Sequence, residues 1–227
     1  MKNIGILGGM SLESTLLYCE QANKLINKKL GGLHSPKIVM YTVDFAEIEK
    51  LQYSGEWEKA GNVLREAAKS IEAGGADFVI MATNTMHKVA GKIVDGLKIP
   101  FIHIGSATAK ALLKDKVKTV GLLGTKFTME EDFYKKVIEE AGIKVVVPNA
   151  EDRKIVNSVI YDELCKGKVL ESSAQEYQRI INTLKDSGAE AVILGCTEIG
   201  MLVKSASLPI YDTTLIHVET AVNEALS

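Results

Sequence analysis

Two stretches of this chain are one pattern written twice: Gly75-Ala76-Asp77-Phe78-Val79-Ile80-Met81-Ala82-Thr83-Asn84-Thr85 and Gly188-Ala189-Glu190-Ala191-Val192-Ile193-Leu194-Gly195-Cys196-Thr197-Glu198. Each reads Gly-Ala-acid, then a short apolar run suited to a buried parallel strand, then a small polar residue where strand yields to loop. Ligands of open α/β sheets bind at that edge. Laying one copy on the other brings Thr83 onto Cys196. The two side chains are therefore expected to face each other across one small-molecule site.

The repetition extends outward. Asn3-Ile4-Gly5-Ile6-Leu7-Gly8-Gly9 returns as Thr119-Val120-Gly121-Leu122-Leu123-Gly124-Thr125, and Ile99-Pro100-Phe101-Ile102 returns as Leu208-Pro209-Ile210-Tyr211. These landmarks keep their order and nearly their spacing, which points to a duplicated unit. Strands alternating with helices predict two pseudo-symmetric α/β domains, each with a parallel sheet and right-handed crossovers. The first half is expected over 1–100, joined by a C-terminal helix at 213–227, and the second over 101–212. No Gly/Ser-rich or Pro-rich linker separates them, so a crevice between closely packed halves is the expected site. Within the first half, 44–55 reads as a polar connection able to cap that site. In the second, Thr128 reads as a helix N-cap, and His103 and, in the C-terminal helix, His217 read as surface or sheet-end residues.

Composition excludes several functions. Lys plus Arg number 27 against 29 Asp plus Glu, a net charge of -2, so no basic field exists for nucleic acid or an anionic membrane. No apolar run approaches the roughly 18 residues of a membrane span, and the chain opens directly into a core strand, which together predict a cytoplasmic protein. Cys19, Cys165 and Cys196 are odd in number and far apart, which suits a reducing compartment. Cys and His do not cluster at metal-ligand spacing, so no metal is expected. The loop Gly8-Gly9-Met10-Ser11 lacks dinucleotide spacing, and no G-x-S-x-G elbow occurs.

A pseudo-symmetric pair of strand ends can bring two functional groups to one carbon from opposite sides, which is the geometry of inversion at Cα. A thiol, with an ordinary pKa of about 8.5 that a nearby helix N-terminus can lower, serves as acid or base near neutrality. In four places the residues resemble the cofactor-independent aspartate/glutamate racemases: Leu7-Gly8-Gly9-Met10, Asn84-Thr85-Met86-His87, Leu123-Gly124-Thr125 and Gly195-Cys196-Thr197-Glu198. The resemblance implies an isomerase with no pyridoxal phosphate or other cofactor, an amino acid as substrate, and a homodimer. It also implies a cysteine at both positions, whereas here the first is Thr83.

By that resemblance Cys196 takes the proton from L-aspartate or L-glutamate, and Thr83 supplies one on the opposite face. A threonine hydroxyl is too weak an acid to offer a ready alkoxide base, so D-substrate is expected to be handled poorly or not at all. Met10, Gln52, Asn84, Thr85, Thr125, Thr197 and Glu198 are the expected substrate contacts. Glu198 reads equally as a helix-start acid, and His87 as a packing or loop-orienting residue. Two alternatives stand beside the racemase: a one-cysteine lyase or isomerase on the same scaffold, and an amino-acid-binding protein without catalysis.

Overall fold

A computed structural model describes all residues, Met1–Ser227. The chain divides into two compact units, Met1–Ile104 with His217–Ser227, and Gly105–Ile216.

The first unit is built on four parallel strands: β1 (Ile4–Gly8), β2 (Ile38–Thr42), β3 (Phe78–Met81) and β4 (Phe101–Ile102), in the order β2-β1-β3-β4. Parallel strands need long crossovers, and helices supply them. These are α1 (Leu12–Leu30), α2 (Phe45–Tyr53), α3 (Trp57–Ala73) and α4 (Ala90–Val94), the last preceded by a 3-10 turn, Thr85–Val89. Alternate strand residues face opposite layers. Leu7, Val79 and Met81 pack with Ile48, Leu64, Ala68 and Ile71 of α2 and α3, whereas Ile4, Ile6, Phe78 and Ile80 pack with Tyr18, Ala22 and Ile26 of α1. Val218, Ala221, Val222 and Ala225 of the C-terminal helix join the second layer.

The Asp44–Gly55 segment is helical where the sequence predicts a connection. Asp44 Oδ1 accepts the Ala46 amide at 3.0 Å, and Ile48 and Gln52, one turn apart on α2, are both buried. Capping and a narrow apolar stripe outweigh the polar composition. His217 is likewise not a surface residue: it is fully buried, with Nε2 donating to the Ile102 carbonyl at 2.8 Å and Nδ1 taking the Tyr18 hydroxyl at 2.9 Å. A polar side chain in an apolar layer needs both ring nitrogens satisfied, and this one has that.

The second unit repeats the plan with β5 (Thr119–Gly124), β6 (Lys144–Val146), β7 (Ala191–Gly195) and β8 (Ile210–Asp212), all parallel, in the order β6-β5-β7-β8. Its helices are α5 (Ile104–Lys114), which opens on the last residue of the first unit's main segment, then α6 (Lys126–Glu130), α7 (Asp132–Glu139), α8 (Ala150–Asp162), α9 (Glu171–Asp186) and α10 (Ile199–Leu202). Helix α11 (Thr213–Leu226) ends the chain. Thr125, not Thr128, is the N-cap of α6: its Oγ1 accepts the Thr128 amide at 3.3 Å. The helix begins one turn earlier than a cap at Thr128 suggests.

The sheets have no room at certain backbone positions. A Cβ on Gly5 would lie 2.5 Å from Ile71 Cγ2 and 2.7 Å from the Phe78 carbonyl, a neighbour that cannot step aside. Gly5→Ala is therefore expected to destabilise the protein by about 1–3 kcal/mol or more, read as a lowered urea midpoint. An unchanged midpoint would mean that β1 and α3 are less tightly held than they stand.

Candidate active site

In each sheet the chain leaves its first strand to one side and its third to the other, so the direction of winding reverses between β1 and β3, and again between β5 and β7. The loops beyond the carboxyl ends of such strand pairs diverge and leave room for a ligand. Every residue expected at the site except Gln52 lies on one of those four loops.

In the first unit, β1 runs into Gly9-Met10-Ser11. Gly9 has φ +90°, and a side chain there would meet the Val43 backbone, so glycine is required. Thr15 ties the loop down, its Oγ1 accepting the Gly9 amide at 2.8 Å and donating to the Ser11 carbonyl at 2.8 Å. Met10 buries its side chain in the core with Leu7 and Met86, which leaves its backbone as the part able to meet a ligand. The loop after β3 is pinned from three directions: Ser14 Oγ donates to the Ala82 carbonyl at 2.9 Å, His87 Nδ1 to the Thr83 carbonyl at 2.8 Å, and the Thr83 amide to the Met81 carbonyl at 2.9 Å. Thr83, Asn84 and Thr85 are all buried.

Gln52 comes from α2 to the same place. Its Nε2 donates to Met86 Sδ at 3.0 Å, while its Oε1, in a side chain only 3% exposed, has no partner. A buried carbonyl oxygen left unpaired costs about 1–3 kcal/mol, so a donor from a ligand is the natural complement.

Behind this loop stand three histidines. The His87 ring lies 4.4 Å from that of His103 and 6.2 Å from that of His217, centroid to centroid. Burial is the first reason all three are driven toward the neutral form: His103 and His217 fall to about 4, and His87, further opposed by its two neighbours, lies well below the usual imidazole value. His103 follows directly on the end of β4, a sheet-end residue as the sequence suggests, and is half-buried against His87.

In the second unit, glycine again marks the strand ends. A Cβ on Gly195 would sit 2.7 Å from the Leu123 carbonyl, and one on Gly124 2.9 Å from the Gly195 carbonyl, so the backbones of β5 and β7 close up where their loops part. Cys196 follows, 9% exposed. Its Sγ donates to Glu198 Oε2 at 2.9 Å, and Thr197 Oγ1 donates to the same oxygen at 2.7 Å. Thr125 caps α6 across the strand pair, sharing a 3.2 Å hydroxyl contact with Thr128.

The thiol is not acidified. Burial first, then the charge of Glu198 and the neighbouring Cys165, push Cys196 well above the ordinary thiol value. The backbone of Glu198, the N-cap of the short α10, pulls the other way and is outweighed. What the second unit builds is a neutral thiol whose proton already points at a carboxylate oxygen. Glu198, expected among the substrate contacts, holds the Cys196 and Thr197 side chains, and the Cys-x-Glu spacing is the sequence signal for it.

The residues thus fall into two sets. Met10, Gln52, Thr83, Asn84 and Thr85 gather at the β1/β3 edge of the first unit, and Thr125, Cys196, Thr197 and Glu198 at the β5/β7 edge of the second. Ser14 and His217, which fasten the first set together with the locally bonded Thr15, escape sequence reasoning because each works through a backbone group distant in the chain. Nowhere do three or more His, Cys, Asp or Glu come together in a way that could hold a metal ion. No helix is long and apolar enough to cross a membrane.

Comparison with known proteins identifies the class of protein to which these duplicated parallel sheets belong. The family model for Asp/Glu/Hydantoin racemase matches residues 7–221, and the chain belongs to that family. It is an isomerase. A candidate Asp/Glu racemase from Yersinia pestis is similar in structure over 100% of both chains, with 45% identity and a TM-score of 0.92. An aspartate racemase homologue from Pyrococcus horikoshii OT3 is similar at 36% identity and a TM-score of 0.87, again over 100% of both chains. Among curated proteins, the broad specificity amino-acid racemase RacX of Bacillus subtilis is 24% identical, the match covering 99% of this chain and 98% of that one.

Proposed function

We propose that the protein racemises L-aspartate, L-glutamate or both without pyridoxal phosphate, with Cys196 as the base toward the L-isomer and Thr83 as the proton donor on the opposite face. The observation that carries this reading is the 2.9 Å hydrogen bond from Cys196 Sγ to Glu198 Oε2. As the Cα–H bond of bound substrate breaks, its proton passes to sulfur, and the thiol proton moves to Glu198. The electron pair left on carbon is shared with the substrate's α-carboxylate. Protonation from the Thr83 hydroxyl then completes inversion, and water restores the threonine proton while Glu198 gives its own to solvent.

Gln52, Asn84, Thr85, Met10, Thr125 and Thr197 are assigned to holding the substrate's ammonium and carboxylates. Support comes from their burial at the two strand-pair edges and from the unpaired Gln52 Oε1, an acceptor suited to an ammonium group.

Thiol and hydroxyl differ greatly as proton carriers, so the two faces should work at different rates. In D2O, deuterium is expected to enter the α-position of recovered L-substrate several-fold faster, about fivefold, than D-isomer forms. Because the enantiomers have equal free energy, kcat/KM must match in the two directions, and the weak D-side base shows as a low kcat with a correspondingly low KM. Thr83→Cys is expected to raise kcat from the D side about tenfold or more. Exchange without any D-isomer would favour the one-cysteine lyase or isomerase, for which the hydroxyl at position 83 is the supporting observation. An unaltered D-side rate in Thr83→Cys would remove Thr83 from the reaction.

A further inference from the structure

We infer that His87 is a positioning residue for Thr83, holding the loop that carries it through a fixed imidazole tautomer. This rests on the racemase reading above. The Thr83 carbonyl can only accept, so the 2.8 Å contact requires a proton on His87 Nδ1. Nε2 is then bare, and it takes the Ile104 amide at 3.2 Å. Ile104 is the first residue of α5, where amides have no partner within the helix. One ring thus links the residue proposed to protonate the substrate to a rigid helix start. Two residues back along the chain, the Ile102 carbonyl is anchored too, because it takes His217 Nε2.

The environment enforces that tautomer. His87 is buried against Phe101, His103 and His217, and the charged form is disfavoured first by burial and then by His103 and His217. A cationic ring would turn Nε2 into a donor aimed at the Ile104 N–H, so the link holds only with a neutral imidazole. The alternative, that His87 merely fills space, would be served as well by Leu or Phe and would not use both nitrogens on backbone groups.

A catalytic hydroxyl displaced by about 1 Å can lose a hundredfold in rate, whereas a group on a separate loop is untouched. The test is to follow L-aspartate and L-glutamate in D2O with wild type, His87→Leu, His87→Asn and His87→Gln, recording D-isomer formation, α-deuterium in recovered L-isomer, and KM. His87→Leu is expected to lower D-isomer formation about 30-fold while KM moves less than about threefold and α-deuteration by Cys196 keeps at least about a third of its rate. Asn places an amide N–H where Nδ1 stood and should restore most of the loss. Gln, which can replace only the far nitrogen, should not.

Parallel loss of both signals in His87→Leu, or no loss of either, would overturn the inference. If the Leu variant does not fold, equal behaviour of Asn and Gln would overturn it instead. Wild type that neither exchanges nor inverts any amino acid would overturn the racemase reading itself, an outcome distinct from a failure confined to His87.

Discussion

Cys196→Ser is expected to lower both α-deuteration of L-substrate and D-isomer formation by about a thousandfold, with the fold intact by circular dichroism. The reason is chemical and local. Oxygen in place of sulfur keeps the size and the hydrogen bond to Glu198, but an alcohol is several orders of magnitude less acidic than a thiol, so its conjugate base is not reached during turnover. Burial, which already raises the thiol, would raise the alcohol in the same direction. Loss of both signals together distinguishes Cys196 from Thr83, whose removal should cost inversion much more than exchange. A serine variant with more than about a tenth of wild-type exchange would show that another group removes the proton. Cys165 packs against the same cluster and is the obvious candidate for a bypass, so Cys165→Ser is the appropriate control.

Much of this arrangement was legible because a duplication announces itself. Two copies of Gly-Ala-acid-apolar run-polar residue place Thr83 and Cys196 at equivalent strand ends, and the described strands end at Met81 and Gly195, just before them. The apolar runs of β1, β3, β5 and β7 are buried on both faces, so composition alone marks them. What escaped is what depends on contacts far apart in sequence. The short helix α2 hides in a polar stretch because only Ile48 and Gln52 of its residues are fully buried. His217 looks like a lone histidine in the last helix until Tyr18 and Ile102, from two other elements, are seen to occupy its nitrogens. The direction of the Cys196 shift was also invisible: a helix start and an acid both follow the cysteine, and only distance shows that the acid dominates.

That dominance gives the sharper of the two large effects, because it moves two observables in opposite directions. Glu198→Gln removes the negative charge beside the sulfur, so the thiol should ionise at lower pH, although not at the ordinary value, since burial is the larger cause of its elevation and remains. Alkylation of Cys196 by iodoacetamide, followed on the peptide that contains it, should therefore become faster at pH 7–8. Turnover should fall about a hundredfold, because the amide cannot take the thiol proton as the substrate's proton arrives. Tyr177 and Cys165 also face the sulfur and are unchanged by the substitution, so they cannot mimic the result. A Glu198 that served only to hold Thr197 would let both quantities drift together, since glutamine still accepts the 2.7 Å hydroxyl bond through its carbonyl oxygen. Faster alkylation with undiminished turnover would assign the proton to another acceptor, whereas slower alkylation would mean that the carboxylate stabilises the thiolate instead of opposing it.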